Sequence, residues 1–177
     1  FFKSLKKTKI KNIKNPFILI ASKKLLIAQM KELKYKFKIV DISFEDLNSG
    51  KINNRQINII NVNFKFKKAF DKISSKSNIY IEECSNTALK ILNKTSSKVL
   101  INGPISKKFF LKNKYPGMTE FFASKLGKKN KEVMLIYNKK NSVSPVTTHY
   151  PLKKIFNKII INKIVSNVKT IHNFYRK

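Results

Sequence analysis

The feature that most constrains the fold of this sequence is a short, continuous apolar run that follows a proline. Residues 16–21 read Pro-Phe-Ile-Leu-Ile-Ala, and an uninterrupted run of this length is typical of a buried strand. Ser22 follows at once and is a suitable N-cap for a helix over Lys23–Leu33, whose apolar side chains share one face. A second strand is predicted at Tyr35–Val40. This succession predicts an α/β layer structure.

The same alternation continues along the chain. Turn residues at Asn48-Ser49-Gly50 precede a short strand near Ile57–Val62, and helical spacing of apolar residues returns over Ile79–Leu92. A further strand, Lys98–Asn102, runs into the turn Gly103-Pro104. The pattern favours a doubly wound α/β arrangement without internal repeats.

Further elements are predicted in the C-terminal third of the chain and at its N-terminus. Segments Glu132–Tyr137 and Ser142–Thr148 have strand-like composition and form either a hairpin or neighbouring strands. Pro151 can open a final helix that extends over residues 151–171. The apolar spacing within Phe1–Leu5 indicates the end of a helix already under way, so we expect the chain to continue upstream.

The charge of the chain is strongly positive, with 39 Lys and Arg against 9 Asp and Glu and a net charge of +30. Such a balance ordinarily favours a polyanionic partner. However, Arg55 and Arg176 are the only arginines, and base readout and bidentate phosphate contacts favour arginine. The lysines are spread along the chain among many Asn and Ile residues, as A·T-rich codons would produce. We therefore expect no nucleic-acid partner, and a basic nucleic-acid-binding module is the alternative from a different class.

The cysteine count and the lengths of the apolar runs indicate the compartment. Cys84 is the single cysteine, which excludes an intramolecular disulfide and a cysteine-based zinc site. No apolar run approaches the roughly 18 residues that span a bilayer, and the N-terminus lacks the regions of a signal peptide. We therefore expect a cytoplasmic protein without a membrane partner.

Three clusters of polar residues and glycines stand at the ends of predicted strands, where ligands of open α/β sheets bind. They are Gly103-Pro-Ile-Ser-Lys107, Gly117-Met-Thr-Glu120 and Thr147-Thr-His-Tyr-Pro-Leu152. Lys107 suits an anionic group, although a turn followed by solvated lysines explains that segment equally well. Thr119 can open a helix over Glu120–Leu126 whose N-terminus attracts a phosphate or carboxylate, and a plain helix cap by Thr119 is the alternative.

Each of the two histidines has an ordinary alternative explanation. His149 follows a predicted strand and lies close to Pro151, so its imidazole stands at the end of that strand. A lone histidine is more often a surface or core residue, and one ligand does not make a metal site. His172 lies in the last predicted helix without polar neighbours, and we assign it no function.

Taken together, the order and spacing of the three clusters resemble the central signature of the 4-hydroxythreonine-4-phosphate dehydrogenase family. In that family a strand runs into Gly-Pro-x-x-Lys, a helix begins at Gly-His-Thr-Glu-(Phe/Tyr), and a later strand leads to Thr-Thr-His-x-Pro-Leu. The strand Val133-Met-Leu135 also matches, and the resemblance is most specific over residues 99–152. It departs at Met118, which stands where the family has a substrate-contacting histidine. Methionine cannot make a charge-assisted hydrogen bond, so substrate affinity or identity is altered at this position.

The resemblance implies a three-layer α/β/α fold like that of the isocitrate and isopropylmalate dehydrogenases, present here incompletely. Residues 1–177 would be the central portion of a two-lobed enzyme. The family's Gly-Asp-Pro opening would precede Phe1, and its C-terminal half would follow Lys177. Two further metal-binding histidines belong to that half, so we expect this stretch alone to be inactive.

The resemblance also implies an activity: NAD-dependent, metal-assisted oxidation, with decarboxylation, of 4-phosphohydroxy-L-threonine in pyridoxal 5′-phosphate biosynthesis. His149 would bind a divalent metal (zinc, magnesium, manganese or cobalt). Thr119 and Met118 would bind the phosphorylated substrate together with Lys107. A homodimer would complete the site across its subunits, and the missing Gly-x-Gly-x-x-Gly is expected because these enzymes bind NAD differently. A related dehydrogenase acting on another phosphorylated hydroxy acid is the alternative.

Overall fold

The computed structural model describes residues 1–8, 12, 15–49, 52–96, 99–112 and 114–176. The chain divides into two compact units, Phe1–Phe110 and Leu111–Lys177. Among the described residues, none of the helices combines the length and apolar character that crossing a bilayer requires.

The first unit contains a three-stranded parallel sheet and the helices that pack on it. Its strands are β1 (Ile18–Ala21), β2 (Ile39–Asp41) and β3 (Ile57–Asn61), in the order β1-β3-β2. All three strands are parallel, with Leu19 opposite Ile59 and Val40 opposite Asn58. The predicted α/β class is therefore confirmed, and the first three predicted strands are present, although β2 begins at Ile39 rather than at the predicted Tyr35.

The α-helices in the described part of this unit are α1 (Phe2–Thr8), α2 (Lys23–Glu32), α3 (Asn78–Lys94) and the short α4 (Lys107–Phe110). The first three were predicted from apolar spacing. Ser22 is the N-cap of α2, as predicted, and its hydroxyl oxygen accepts a hydrogen bond from the backbone N–H of Leu25.

The core of the first unit is centred on β3. Ile57 and Ile59 are fully buried and cluster with Phe2 and Leu5 of α1 and with Leu26 of α2. Because side chains alternate along a strand, Asn58 and Ile60 face the side of the sheet opposite to Ile57 and Ile59. Both of these residues are buried as well. The central strand is thus covered on both faces, although Asn58 and Asn61 interrupt its apolar composition.

The predicted strand at Lys98–Asn102 is wrong over its described residues. Residues 99–102 have no strand structure, and the side chain of Ile101 is 88% exposed. An extended apolar segment becomes a strand only when a neighbour accepts and donates its backbone hydrogen bonds. In the described part of the chain, no sheet strand lies beside this segment. The turn predicted at Asn48–Gly50 overlaps a short 3₁₀ helix, Asp46–Asn48, only at its first residue. Gly50 lies outside the described residues.

The second unit holds two helices, α5 (Met118–Lys125) and α6 (Ile161–Tyr175). The two strands predicted around residues 138–141 are reduced to one antiparallel bridge, Ile136 with Val143, so the hairpin alternative is the one observed. The helix predicted over 151–171 begins ten residues too early. Pro151 instead caps a 3₁₀ turn, and the backbone is extended at Ile159 and Ile160 before α6 starts.

Candidate functional site

The start of α5 is the first component of the candidate site. Its N-cap is Gly117, whose backbone is extended, and no side chain caps the helix. The alternative in which Thr119 is the cap is therefore wrong: Thr119 is the second residue of the helix, and its side chain is exposed. Met118 opens the helix and Glu120 is its third residue. The first backbone N–H groups of a helix lack partners within the helix, so this turn can donate to an anion.

His149 is the second component, and its backbone is unusual. Its φ is +63°, in the left-handed region that residues other than glycine seldom adopt. Such a conformation costs on the order of 1–3 kcal/mol unless the surrounding chain favours it, and it is concentrated at functional sites. Lys34, Lys112 and Asn130 also have a positive φ, so this conformation alone does not single out His149.

The two components meet at Gly117. A Cβ atom placed on this buried glycine would lie 2.8 Å from Oε2 of Glu120 and 3.8 Å from Nε2 of His149. The side chains of Glu120 and His149 thus approach the same small space above the glycine, which has no side chain of its own to fill it. The structure brings the second and third sequence clusters together, although about thirty residues separate them in the chain.

The carboxylate at this place is distinctive in so basic a chain. Glu120 and Glu132 are the only acidic residues after position 111, where lysines are abundant. Across the described residues, the structure forms one ion pair, Lys23 with Asp41, and it lies in the first unit. Among the described residues, no lysine forms an ion pair with the half-buried Glu120.

These residues fit part of a divalent-cation site. An imidazole nitrogen and a carboxylate oxygen are suitable donors, whereas a catalytic site takes about three protein ligands. Within the described ranges, no three His, Cys, Asp or Glu side chains are grouped closely enough to hold a metal ion. A role of His149 as one metal ligand stays a prediction, and the sequence assigned no binding role to Glu120, because the meeting of the two residues at Gly117 is invisible in the sequence.

The first sequence cluster lies in the other unit. Lys107 is exposed and begins the short helix α4, while Gly103 stands in open space with no atom within 4 Å of a Cβ placed on it. The Gly-Pro turn therefore forms without a close backbone approach. A contribution of Lys107 to substrate binding stays a prediction.

A second polar group stands where the strands of the sheet end, and the sequence analysis missed it. The hydroxyl of Tyr80 accepts a hydrogen bond of 2.9 Å from the backbone N–H of Ser22. Burial raises the pKa of Tyr80 to about 12 and that of Cys84, one helical turn along α3, to about 11. Both groups are therefore neutral near pH 7, and their role is structural. The spacing of four residues in a helix was the available signal.

The structure defines a parallel α/β protein in which a histidine approaches the start of a helix from a separate loop. The family model described as "Pyridoxal phosphate biosynthetic protein PdxA" matches residues 12–177. The chain belongs to this family, and the predicted resemblance is confirmed.

A curated relative supports the same assignment. The chain is 28% identical over 181 residues to "4-hydroxythreonine-4-phosphate dehydrogenase" from Sulfurihydrogenibium sp. (strain YO3AOP1). The match covers 99% of this chain and 52% of the relative. The chain thus spans about half the length of the relative that it matches.

Proposed function

We propose that the full-length protein is an NAD-dependent, metal-assisted dehydrogenase that oxidises 4-phosphohydroxy-L-threonine in pyridoxal 5′-phosphate biosynthesis. One observation carries the proposal: the two most specific family motifs of this chain converge at Gly117, where Glu120 and His149 approach the same point. Family membership over residues 12–177 and the name of the relative support the substrate class.

Each residue of the site has a role that its chemistry allows. His149 would hold the divalent metal through a ring nitrogen. Thr119, exposed on the first turn of α5, would donate its hydroxyl hydrogen to the substrate beside it. The free N–H groups of the same turn favour the phosphate or the carboxylate of the substrate, and Lys107 would add positive charge.

The metal and the nicotinamide supply the redox chemistry when bound, as Lewis acid and hydride acceptor respectively. The substrate loses a hydride from the carbon that bears its hydroxyl, and the hydroxyl proton leaves to a base. The product is a β-keto acid. It loses carbon dioxide readily because its carbonyl accepts the electron pair of the breaking bond.

The test of this function uses the full-length protein and a matched pair of histidine variants. With NAD, a divalent metal and 4-phosphohydroxy-L-threonine, we expect formation of NADH that follows saturation kinetics. His149→Ala is expected to abolish activity and weaken metal binding, whereas His172→Ala, on the exposed side of α6, is expected to change neither. Equal loss of activity in the two variants would contradict the role of His149.

Met118 favours a second candidate function, a related dehydrogenase acting on another phosphorylated hydroxy acid. It is the first residue of α5, where the family has a substrate-contacting histidine, and its thioether offers only a weak acceptor. Loss of a polar contact at a substrate position changes specificity, because partner groups are left unpaired. If Met118→His gives no gain on 4-phosphohydroxy-L-threonine and another phosphorylated acid is turned over faster, this second function is the correct one.

The proposal includes a homodimer that completes the site across its subunits, as the resemblance implies. Sedimentation of the full-length protein tests it, because a monomer that is fully active would contradict a shared site. A cytoplasmic location is part of the same proposal.

A further inference from the structure

We propose that Glu120 is a positioning residue for His149. Its carboxylate accepts a hydrogen bond from the N–H of Nε2 of the imidazole. This bond fixes the orientation of the ring and leaves the lone pair of Nδ1 free to bind a cation. The effect on the ring stands by itself, and only the identity of the cation rests on the proposed function.

The geometry around Gly117 is the first support. Oε2 of Glu120 and Nε2 of His149 both lie within 4 Å of the position that a glycine Cβ would occupy. Histidines that bind metals commonly donate their other ring N–H to a carboxylate, which sets the tautomer and the ring orientation.

The place of Glu120 on α5 is the second support. It lies in the first turn, where the positive end of the helix dipole favours a charged carboxylate. The N-cap residue of this helix, Gly117, has no side chain, so it leaves the space beside this carboxylate open.

The test reads the imidazole directly, in the metal-free full-length protein with ¹⁵N-labelled histidine. The resonances of His149 are assigned by their loss in His149→Gln. In a neutral imidazole, the two nitrogen shifts report which nitrogen carries the proton. We expect Nε2 of His149 to be the protonated nitrogen, and Glu120→Ala to move both shifts toward the average of the two tautomers.

Matched variants separate positioning from folding. Glu132→Ala removes the other carboxylate after position 111 and is expected to leave the His149 shifts unchanged. Glu120→Gln keeps an acceptor oxygen and a side chain of the same length, so it is expected to give a smaller change than Glu120→Ala. It also serves if the alanine variant fails to fold. Unchanged His149 shifts in a folded Glu120 variant would overturn the proposal.

Metal affinity gives a second, independent readout. Removing a carboxylate that orients a ligand histidine typically lowers metal affinity about 10–100-fold. Calorimetric titration of Glu120→Ala with Co²⁺ is expected to show a fall of that size. If the shifts respond but the full-length protein neither binds metal nor turns over substrate, the proposed function fails and the positioning role stands. If His149→Ala abolishes metal binding, while Glu120→Ala changes neither the metal affinity nor the nitrogen shifts of His149, the positioning role is wrong and the proposed function is unaffected.

Discussion

Replacing Gly117 with alanine is expected to disturb the candidate site while leaving the fold intact. The added Cβ would lie 2.8 Å from Oε2 of Glu120, whereas ordinary van der Waals contact begins at 3.4 Å. The carboxylate must therefore retreat by more than about half an ångström. The φ of Gly117 is −159°, extended backbone that alanine adopts without strain.

The expected magnitudes follow from these contacts. Alanine is a poorer N-cap than glycine, which costs up to about 1 kcal/mol, and the lower entropy of the unfolded chain offsets part of this cost. The displaced carboxylate is expected to lower metal affinity about tenfold, which is about 1.4 kcal/mol. This loss lies at the lower end of the range for removing the carboxylate.

The assay combines thermal unfolding with calorimetric titration of Co²⁺ into the full-length protein. Gly103→Ala is the control, because its Cβ would meet no atom within 4 Å. In the double variant with Glu120→Ala, the alanine at 117 is expected to have no further effect, because the atom that it displaces is gone. Additive losses in the double variant, or an equal loss in Gly103→Ala, would refute this reasoning.

Three further predictions concern stability and reactivity. Ile59→Ala removes a fully buried side chain and is expected to destabilise the protein by about 3 kcal/mol in urea unfolding. Ile101→Ala changes a side chain that is 88% exposed and is expected to cost less than about 0.5 kcal/mol. Equal losses of stability would show that residues 99–102 are packed. The thiol of Cys84 is expected to react with an aromatic disulfide reagent at about pH 8 on the order of 100-fold more slowly than in the unfolded chain. Burial raises the pKa of this thiol to about 11, which lowers the fraction of reactive thiolate. Equal rates in the folded and unfolded chain would contradict this burial. The urea midpoint is expected to fall as pH rises from 9.0 through about 12. The folded pKa values of Cys84 and Tyr80 lie above their ordinary 9.0 and 10.0, so the folded state favours the neutral forms and loses stability as these groups ionise. A urea midpoint that does not change over this pH range would contradict this sign.

The elements that the sequence predicted correctly are those in which local and tertiary signals agree. The apolar run of β1, the serine before α2 and the apolar face of α3 each specify an element through short-range chemistry. The same elements also bury their apolar residues in the first unit. Their bounds therefore differ from the predictions by only a few residues.

The incorrect predictions concern segments whose pattern leaves the partner or the starting point undefined. Residues 99–102 have strand-like composition, but a strand also needs a neighbour, and composition does not specify one. Pro151 suits the start of an α-helix or of a 3₁₀ turn equally well, so the apolar spacing beyond it did not locate the first turn of α6.

The candidate site was only partly predictable for a related reason. The order and spacing of the motifs, through the family resemblance, predicted roles for His149 and Thr119, because by itself each residue had an ordinary explanation. The meeting of Glu120 and His149 at Gly117 depends on the fold of the intervening residues and on the open space above a glycine. These are tertiary properties, and no local spacing encodes them.

The most direct test of the proposed function measures NADH and carbon dioxide together. Full-length protein, stripped of metal and then supplied with one divalent ion, is mixed with NAD and 4-phosphohydroxy-L-threonine. We expect equimolar NADH and carbon dioxide, no product after chelation, and recovery when the metal is restored. Folded, metal-supplied protein that forms no NADH from this substrate with any of zinc, magnesium, manganese or cobalt would contradict the proposed function.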